Sequence, residues 1–268
     1  MEIYTKDFFK KIQDSSLHSA KEVVPLVMRL VQPKRVIDVG CGVGSWLSVF
    51  KEYGVEDILG VDGDYVDAEM LQIPQECFLA RDLVKPLRIE QHFDLVVSLE
   101  VAEHLPSECA EDFINTLVSL GPVILFSAAL PYQRGDSHVN EQWPDYWLSF
   151  FHQKGYVLVD CLRMKLWQND SVEWWYSQNM LIFVKQICLQ NYPLLKQEFD
   201  NGNLTPLSIV HPKMHLQNTM VLQHLIEYSE SRLDGKDMTL KQAWSLFTSA
   251  LKNALLWRIN KVFLRNHD

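Results

Sequence analysis

The chain has 268 residues, 47% of them hydrophobic and 22% charged, enough to bury a full sheet with helices on both faces, in one domain or in one domain with an appendage. A formal charge of -9 opposes broad attraction to phosphate backbones and demotes nucleic acid as a partner. The five cysteines, Cys41, Cys77, Cys109, Cys161 and Cys188, form no CxxC pair; they are expected as small core hydrophobes in a reducing compartment. The first residues lack a basic segment followed by an apolar run, and no stretch stays apolar for about 18 residues. The expectation is a soluble, cytoplasmic protein without a transmembrane segment.

Ala20, Val23, Val24, Val27, Leu30 and Val31 recur at helical spacing and predict a helix over 17–31, stopped before Pro33. A short β-branched strand follows over 34–39, then the turn Gly40-Cys-Gly-Val-Gly44, then a helix over 45–53 with Trp46, Leu47 and Phe50 facing inward. Strand, glycine turn and helix in this order form a nucleotide-binding crossover. Further strands are predicted near 58–61, 77–79, 93–99, 123–127, 156–160 and 180–184, with helices near 109–120 and 144–153. The pattern is α/β with a mostly parallel sheet. The last two strands lack a standard crossover helix and are expected as an antiparallel edge, with 162–179 an irregular excursion. These elements make one domain over 1–188. Residues 189–212, rich in Asn, Pro and Gly, read as a linker or surface loop, and 213–268 as a helical extension with helices over 217–231 and 239–264.

Three glycines, Gly40, Gly42 and Gly44, suit a turn where a Cβ would block backbone approach to a ligand. Asp38 precedes them. Asp62, in Gly60-Val-Asp-Gly-Asp64, lies where the second strand ends and can accept both hydroxyls of a ribose. Asp82 and Leu83 follow the third strand, suited to an adenine amino group and an adenine face. A nicotinamide-dependent oxidoreductase shares the first two features, so they do not choose the cofactor alone. The combination resembles class I S-adenosylmethionine-dependent methyltransferases: Asp38-x-Gly-x-Gly-x-Gly resembles their first motif, and Phe93-Asp-Leu-Val-Val-Ser-Leu-Glu-Val-Ala-Glu-His104 their fourth. The resemblance implies a Rossmann-like seven-stranded sheet and S-adenosylmethionine as cofactor. It places the methionine part at the glycine loop, the ribose at Asp62 and Gly63, and adenine at Asp82 and Leu83, with Glu100 counted in the cofactor set.

On the acceptor side, Glu100, Glu103 and His104 have the spacing ExxEH, which shares one face if a helical turn begins at the strand's end. His138 lies after the fifth strand with Asn140, Glu141, Gln142 and Trp143 close by. Trp174 and Trp175 are adjacent, so on a helix their side chains diverge, leaving one to face a pocket. Aromatic faces pack on the C–H faces of sugars, and Glu173, Gln178 and Asn179 can bond hydroxyls. The segments around Trp143 and Trp174 resemble those of glycan- or polysaccharide-associated O-methyltransferases, which implies a sugar hydroxyl as acceptor. ExxEH with a downstream histidine resembles the small-RNA 2′-O-methyltransferases, which use such a set to hold magnesium. That resemblance implies a divalent ion, magnesium, manganese, zinc or iron, held by Glu100, Glu103, His104 and His138. The alternatives are a metal-independent small-molecule methyltransferase with His104 or His138 as general base, an RNA 2′-O-methyltransferase, and a non-catalytic scaffold. The apolar face of the last helix is read as packing over the domain, as a homodimer contact or as a membrane-surface contact.

Overall fold

In the computed structural model the described residues are 6–202, 206–233 and, within 239–249, all but 242, 243 and 246. In chain order, α1 (Lys6–Val31) leads into β1 (Arg35–Val39), α2 (Ser45–Glu52), β2 (Asp57–Asp62), β3 (Phe78–Ala80) and β4 (Leu95–Leu99). Then follow α3 (Ala110–Leu120), β5 (Val123–Ser127), α4 (Pro144–Gln153), β6 (Tyr156–Val159), α5 (Arg163–Leu166), α6 (Trp174–Asn179), β7 (Leu181–Lys185), α7 (Pro193–Asp200) and α8 (Pro212–Leu233). The seven strands form one sheet in the order β3-β2-β1-β4-β5-β7-β6. Pairing is parallel from β3 to β5, whereas β7 runs antiparallel to both β5 and β6. This is the Rossmann-like α/β arrangement the sequence predicts, antiparallel edge included.

The central strands β4 and β5 are buried along their whole length, as expected of parallel strands covered on both faces. Their side chains alternate between two cores with the period of a strand. Leu95, Val97 and Leu125 join Val23, Val27, Leu47 and Phe50 on the α1 and α2 face. Val96, Ile124 and Phe126 join Ile114, Leu117, Trp147 and Phe151 on the α3 and α4 face. The sheet reverses between β1 and β2 on one side and β4 on the other, so the loops after β1 and β4 open side by side at its carboxyl edge, where open α/β sheets bind ligands.

The segment read as a linker or surface loop is more structured than its composition implies. Residues 193–200 form α7, started by Pro193 at its first turn, and it buries Leu195. Farther on, Arg163, fully buried, pairs with Asp160 and donates to the carbonyls of Leu207 (2.7 Å) and Pro206 (3.3 Å). The excursion over 162–179 contains two short helices, α5 and α6.

The chain divides into two compact units, Met1–Met214 and His215–Asp268. In the second, α8 exposes Leu216, Met220, Leu222, Leu225 and Ile226. Of the helix expected over 239–264, residues 250–264 lie outside the described residues. No helix among the described residues is long and apolar enough to cross a membrane.

Candidate active site

The turn after β1 is built by glycine conformations. Gly40, Gly42 and Gly44 have φ of +87°, +53° and +85°, a region that costs other residues about 1 kcal/mol or more. Two of them are also spatially required: a Cβ at Gly40 would fall 2.2 Å from Val101 Cγ2, and one at Gly44 2.9 Å from Ile73 Cγ1. The Gly40 and Cys41 N–H groups donate to the Val61 carbonyl at 2.8 and 3.1 Å, tying the turn to the end of β2. Asp38 and Asp62 are both buried. Burial raises the Asp38 carboxyl well above the usual carboxylate range, and the Asp62 charge raises it further. Burial also raises Asp62, against the lowering effect of the hydrogen bonds it accepts from Tyr65, Gly42 and Gly63.

Asp82 sits differently from those two acids. It is exposed, accepts from the Val84 N–H at 3.1 Å and pairs with Lys85, which lowers its pKa. Leu83 packs against the α3 and α4 core.

After β4, Ala102–His104 forms a single 3-10 turn. Glu103 is 0% exposed and, among the described residues, neither carboxylate oxygen has a hydrogen-bond partner. Burial raises its pKa well above the usual value, the neighbouring Glu100 charge adds to this, and nearby backbone N–H groups, its own and that of Ala129, offset only part. One ligand atom from each of Glu103, His104 and His138 lies within 4.8 Å of the others. The two imidazoles meet edge to face, with centroids 4.8 Å apart. Burial and the neighbouring His138 charge lower His104 to about 4, so it is neutral at physiological pH with a nitrogen suited to ligation.

Glu100, expected as the fourth member of this set, neighbours Glu103 but is not one of the three residues whose ligand atoms cluster. It takes a left-handed backbone, φ +55°, and its carboxylate accepts from Gln133 Nε2 at 2.7 Å and from Asn179 Nδ2 at 3.1 Å. The expected helical face does not exist, because the chain bends at Glu100 before the 3-10 turn starts. Asn179 and Gln133 are further bonded to one another at 2.8 Å, and Gln178 Nε2 donates to Gln133 Oε1 and Asn179 Oδ1.

His138 belongs to a loop clamped at two points. Its Nδ1 lies 2.9 Å from Glu141 Oε1, and the same carboxylate accepts the Arg134 N–H at 2.8 Å and the Tyr132 N–H at 2.7 Å. The Val139 and Asn140 N–H groups both donate to the Glu103 carbonyl. Tyr132, Arg134 and Ser137 all have positive φ, and the clamps hold them there. Gln142 donates to Asn140 Oδ1, while Asn140 Nδ2 is buried without a partner among the described residues. Trp143 is 42% exposed beside this loop, whereas Trp174 is 7% exposed in a small cluster with Leu130 and Met214. Trp175 is half-buried against that cluster.

Sequence reasoning passed over Gln133, Tyr65 and His211. His211 is buried, donates its N–H to Gln178 Oε1 at 2.7 Å and stacks near Trp174. Nothing in its own neighbourhood, within the presumed linker, signals this. Tyr65, three residues beyond Asp62, was legible only as an aromatic beside an acid.

The parallel sheet, its antiparallel edge, the glycine turn and the acid after β2 together define a Rossmann-like class I methyltransferase. A family profile described as a methyltransferase domain matches residues 15–207, and the chain belongs to this family: it is an S-adenosylmethionine-dependent methyltransferase. No protein of curated function matches it by sequence. Among solved structures it is similar to Streptomyces venezuelae DesVI, at 13% identity and a TM-score of 0.50 over 68% of this chain and 96% of that one. It is also similar to the magnesium protoporphyrin IX methyltransferase ChlM of Synechocystis PCC 6803 with bound SAM, at 21% identity and a TM-score of 0.49 over 69% and 86%. The methyltransferase domain of bacterial CtHen1 gives 20% identity and a TM-score of 0.46 over 62% and 97%.

Proposed function

We propose that the enzyme methylates the oxygen of a sugar hydroxyl, in a glycan or sugar-containing metabolite, with a divalent ion held by Glu103, His104 and His138. The observation that carries the ion is Glu103: a buried carboxylate without a partner is costly, and two imidazoles stand beside it. Carboxylate and imidazole donors suit magnesium, manganese, iron or zinc. A bound ion would supply the charge that lowers the pKa of a coordinated hydroxyl. Glu141 holds His138 through Nδ1, leaving Nε2 as the nitrogen for the ion. Glu100, fixed by Gln133 and Asn179, neighbours Glu103 just after β4.

For the cofactor, Asp38, the Gly40–Gly44 turn and Glu100 would border the methionine part. Asp62 and Gly63 would hold the ribose, and Asp82 and Leu83 the adenine. The cofactor supplies an electrophilic methyl group, and the chain's part is to align an acceptor with it. Trp143 and Tyr132, exposed on the clamped loop, offer aromatic faces for a sugar, and Asn140, Gln142 and the half-buried Trp175 complete the proposed set. Trp174, being buried, supports the wall rather than the surface. The exposed apolar side chains of α8 support a homodimer contact, and a cytoplasmic location fits the free thiols.

The second reading is metal-free, with His138 as general base oriented by Glu141; the 2.9 Å contact between them favours it. Transfer of a labelled methyl group to separated glycans, nucleotide sugars, RNA and small molecules tests the acceptor. Labelling confined to RNA or to molecules without sugar overturns it. Exhaustive chelation followed by single-metal addition tests the ion: full transfer by protein shown to hold no divalent metal leaves the histidine-base reading.

A further inference from the structure

Asp62 already has three hydrogen-bond donors. Oδ1 accepts the Gly63 N–H at 2.6 Å and the Tyr65 hydroxyl at 2.5 Å, and Oδ2 accepts the Gly42 N–H at 2.6 Å. An ionised carboxylate has about four lone-pair sites, so one remains. A ribose that presents both hydroxyls to this carboxylate needs two. Of the three donors, two are main-chain groups. One adjoins Asp62 in the chain, and the other sits in a turn fixed by left-handed glycines. Withdrawing either would mean rebuilding the turn. Tyr65 is 41% exposed, and it reaches the carboxylate by lying against the bare Cα of Gly63, where a Cβ would fall 2.1 Å from Tyr65 Cε1. Rotation of this side chain frees Oδ1 without moving the backbone, a fast motion for an exposed residue.

We propose that Tyr65 is a hydroxyl latch on the cofactor site, its phenol occupying the Asp62 position that a second ribose hydroxyl requires and leaving when the adenosyl group seats. The proposal rests on the reading that Asp62 holds the ribose. In the cofactor-free enzyme the phenol gives the buried carboxylate a donor it would otherwise lack. On binding, that donor is exchanged for a ribose hydroxyl rather than added to it, so the latch weakens cofactor affinity. S-adenosylmethionine and S-adenosylhomocysteine carry the same ribose. The latch therefore lowers affinity for the product as much as for the cofactor, which favours product release. Gly63 is part of the device, since any side chain there would push the ring off its seat.

The test is calorimetric titration of S-adenosylhomocysteine into the wild type, Tyr65→Phe and Asp62→Asn, repeated with the 2′-deoxyribose analogue. Removing a competing donor to a charged acceptor should tighten binding of S-adenosylhomocysteine to Tyr65→Phe roughly tenfold. The analogue has one hydroxyl and uses the site already open, so Tyr65→Phe should bind it with wild-type affinity. Unchanged or weaker binding of S-adenosylhomocysteine to Tyr65→Phe overturns the latch. So does an equal gain on the analogue, which would mean that the effect of the phenol does not run through the second ribose hydroxyl. Asp62→Asn separates the two layers: wild-type affinity in that variant removes the ribose reading itself, whereas weakened binding there with no gain in Tyr65→Phe removes the latch alone.

Discussion

Replacing Glu103 with methionine should stabilise the metal-free enzyme while destroying the proposed metal site. The side chain is 0% exposed and neither oxygen has a well-formed hydrogen bond among the described residues, so the folded state carries the desolvation of a polar group that the nearby Glu103 and Ala129 N–H groups offset only in part. Such a group costs about 1–3 kcal/mol, and an apolar side chain of similar shape removes that cost. Glu100, the neighbouring carboxyl that raises the Glu103 pKa, would lose a repulsive partner as well. The expected gain for Glu103→Met is therefore about 1–3 kcal/mol, at about 2–4 °C per kcal/mol for a domain of this size. Adding metal reverses the order. At a hundredfold excess over its dissociation constant, an ion that binds only the folded state stabilises the wild type by about 2.7 kcal/mol, and the variant gains nothing. Thermal melts of both proteins in chelator and then in manganese measure all four values. A variant that melts below the wild type in chelator would show that Glu103 is a satisfied structural acid. Equal manganese stabilisation of the two proteins would place the ion elsewhere.

Gly40→Ala forces a left-handed alanine and a Cβ 2.2 Å from Val101 Cγ2; about 1 kcal/mol of backbone strain and 1–3 of overpacking give an expected loss of about 2–4 kcal/mol. A denaturant midpoint unchanged from the wild type refutes it, and adding Val101→Ala should recover part of the overpacking. Asp38 has a raised folded-state pKa from burial first and the Asp62 charge second, so its stabilisation is complete below the ordinary carboxylate range and is lost as pH rises through the raised value. Asp38→Asn should thus make the cofactor-free protein more stable at pH values above the ordinary carboxylate range and flatten its melting temperature as pH rises from there; parallel profiles for the two proteins would contradict this. Glu141→Gln leaves an amide N–H facing one of the three donors now held by the carboxylate, and should lower kcat about 10–100-fold, the range for partners that orient metal-bound histidines, with S-adenosylhomocysteine affinity within about twofold. A matching loss of S-adenosylhomocysteine affinity would mean that the loop shapes the cofactor site instead.

What was legible in the sequence was what short-range chemistry determines. Gly40, Gly42 and Gly44 could be read because a turn with three positive φ values admits almost nothing else. The strands could be read because β4 and β5 alternate between two cores. The ExxEH spacing was legible, but its geometry was not. The i, i+3 argument needs a helical turn from Glu100 onward, and a left-handed Glu100 followed by Val101 at φ -126° removes it. No composition or spacing announces a non-glycine residue at φ +55°. What holds that conformation is remote, with Ser127 accepting the Glu100 N–H and Gln133 and Asn179 taking the carboxylate.

Trp174 and His211 were hidden for the same reason. Adjacent tryptophans do diverge, but which one faces the interior depends on residues 206–214 folding back, through Arg163 to the Pro206 and Leu207 carbonyls and through Gln178 to His211. A polar stretch of chain reads as a linker when its partners lie more than thirty residues away, because periodicity samples only near neighbours. This bears on the proposed acceptor site. The amides that fix Glu100 are linked through Gln178 to the main-chain N–H of His211 in the returning segment, so the backbone of that segment, remote in sequence from every motif, reaches the same network as Asn179. The network around Glu100 thus draws on the ends of β4 and β5, on α6 and on the chain beyond the sheet, and it depends on side-chain amides that no local motif records.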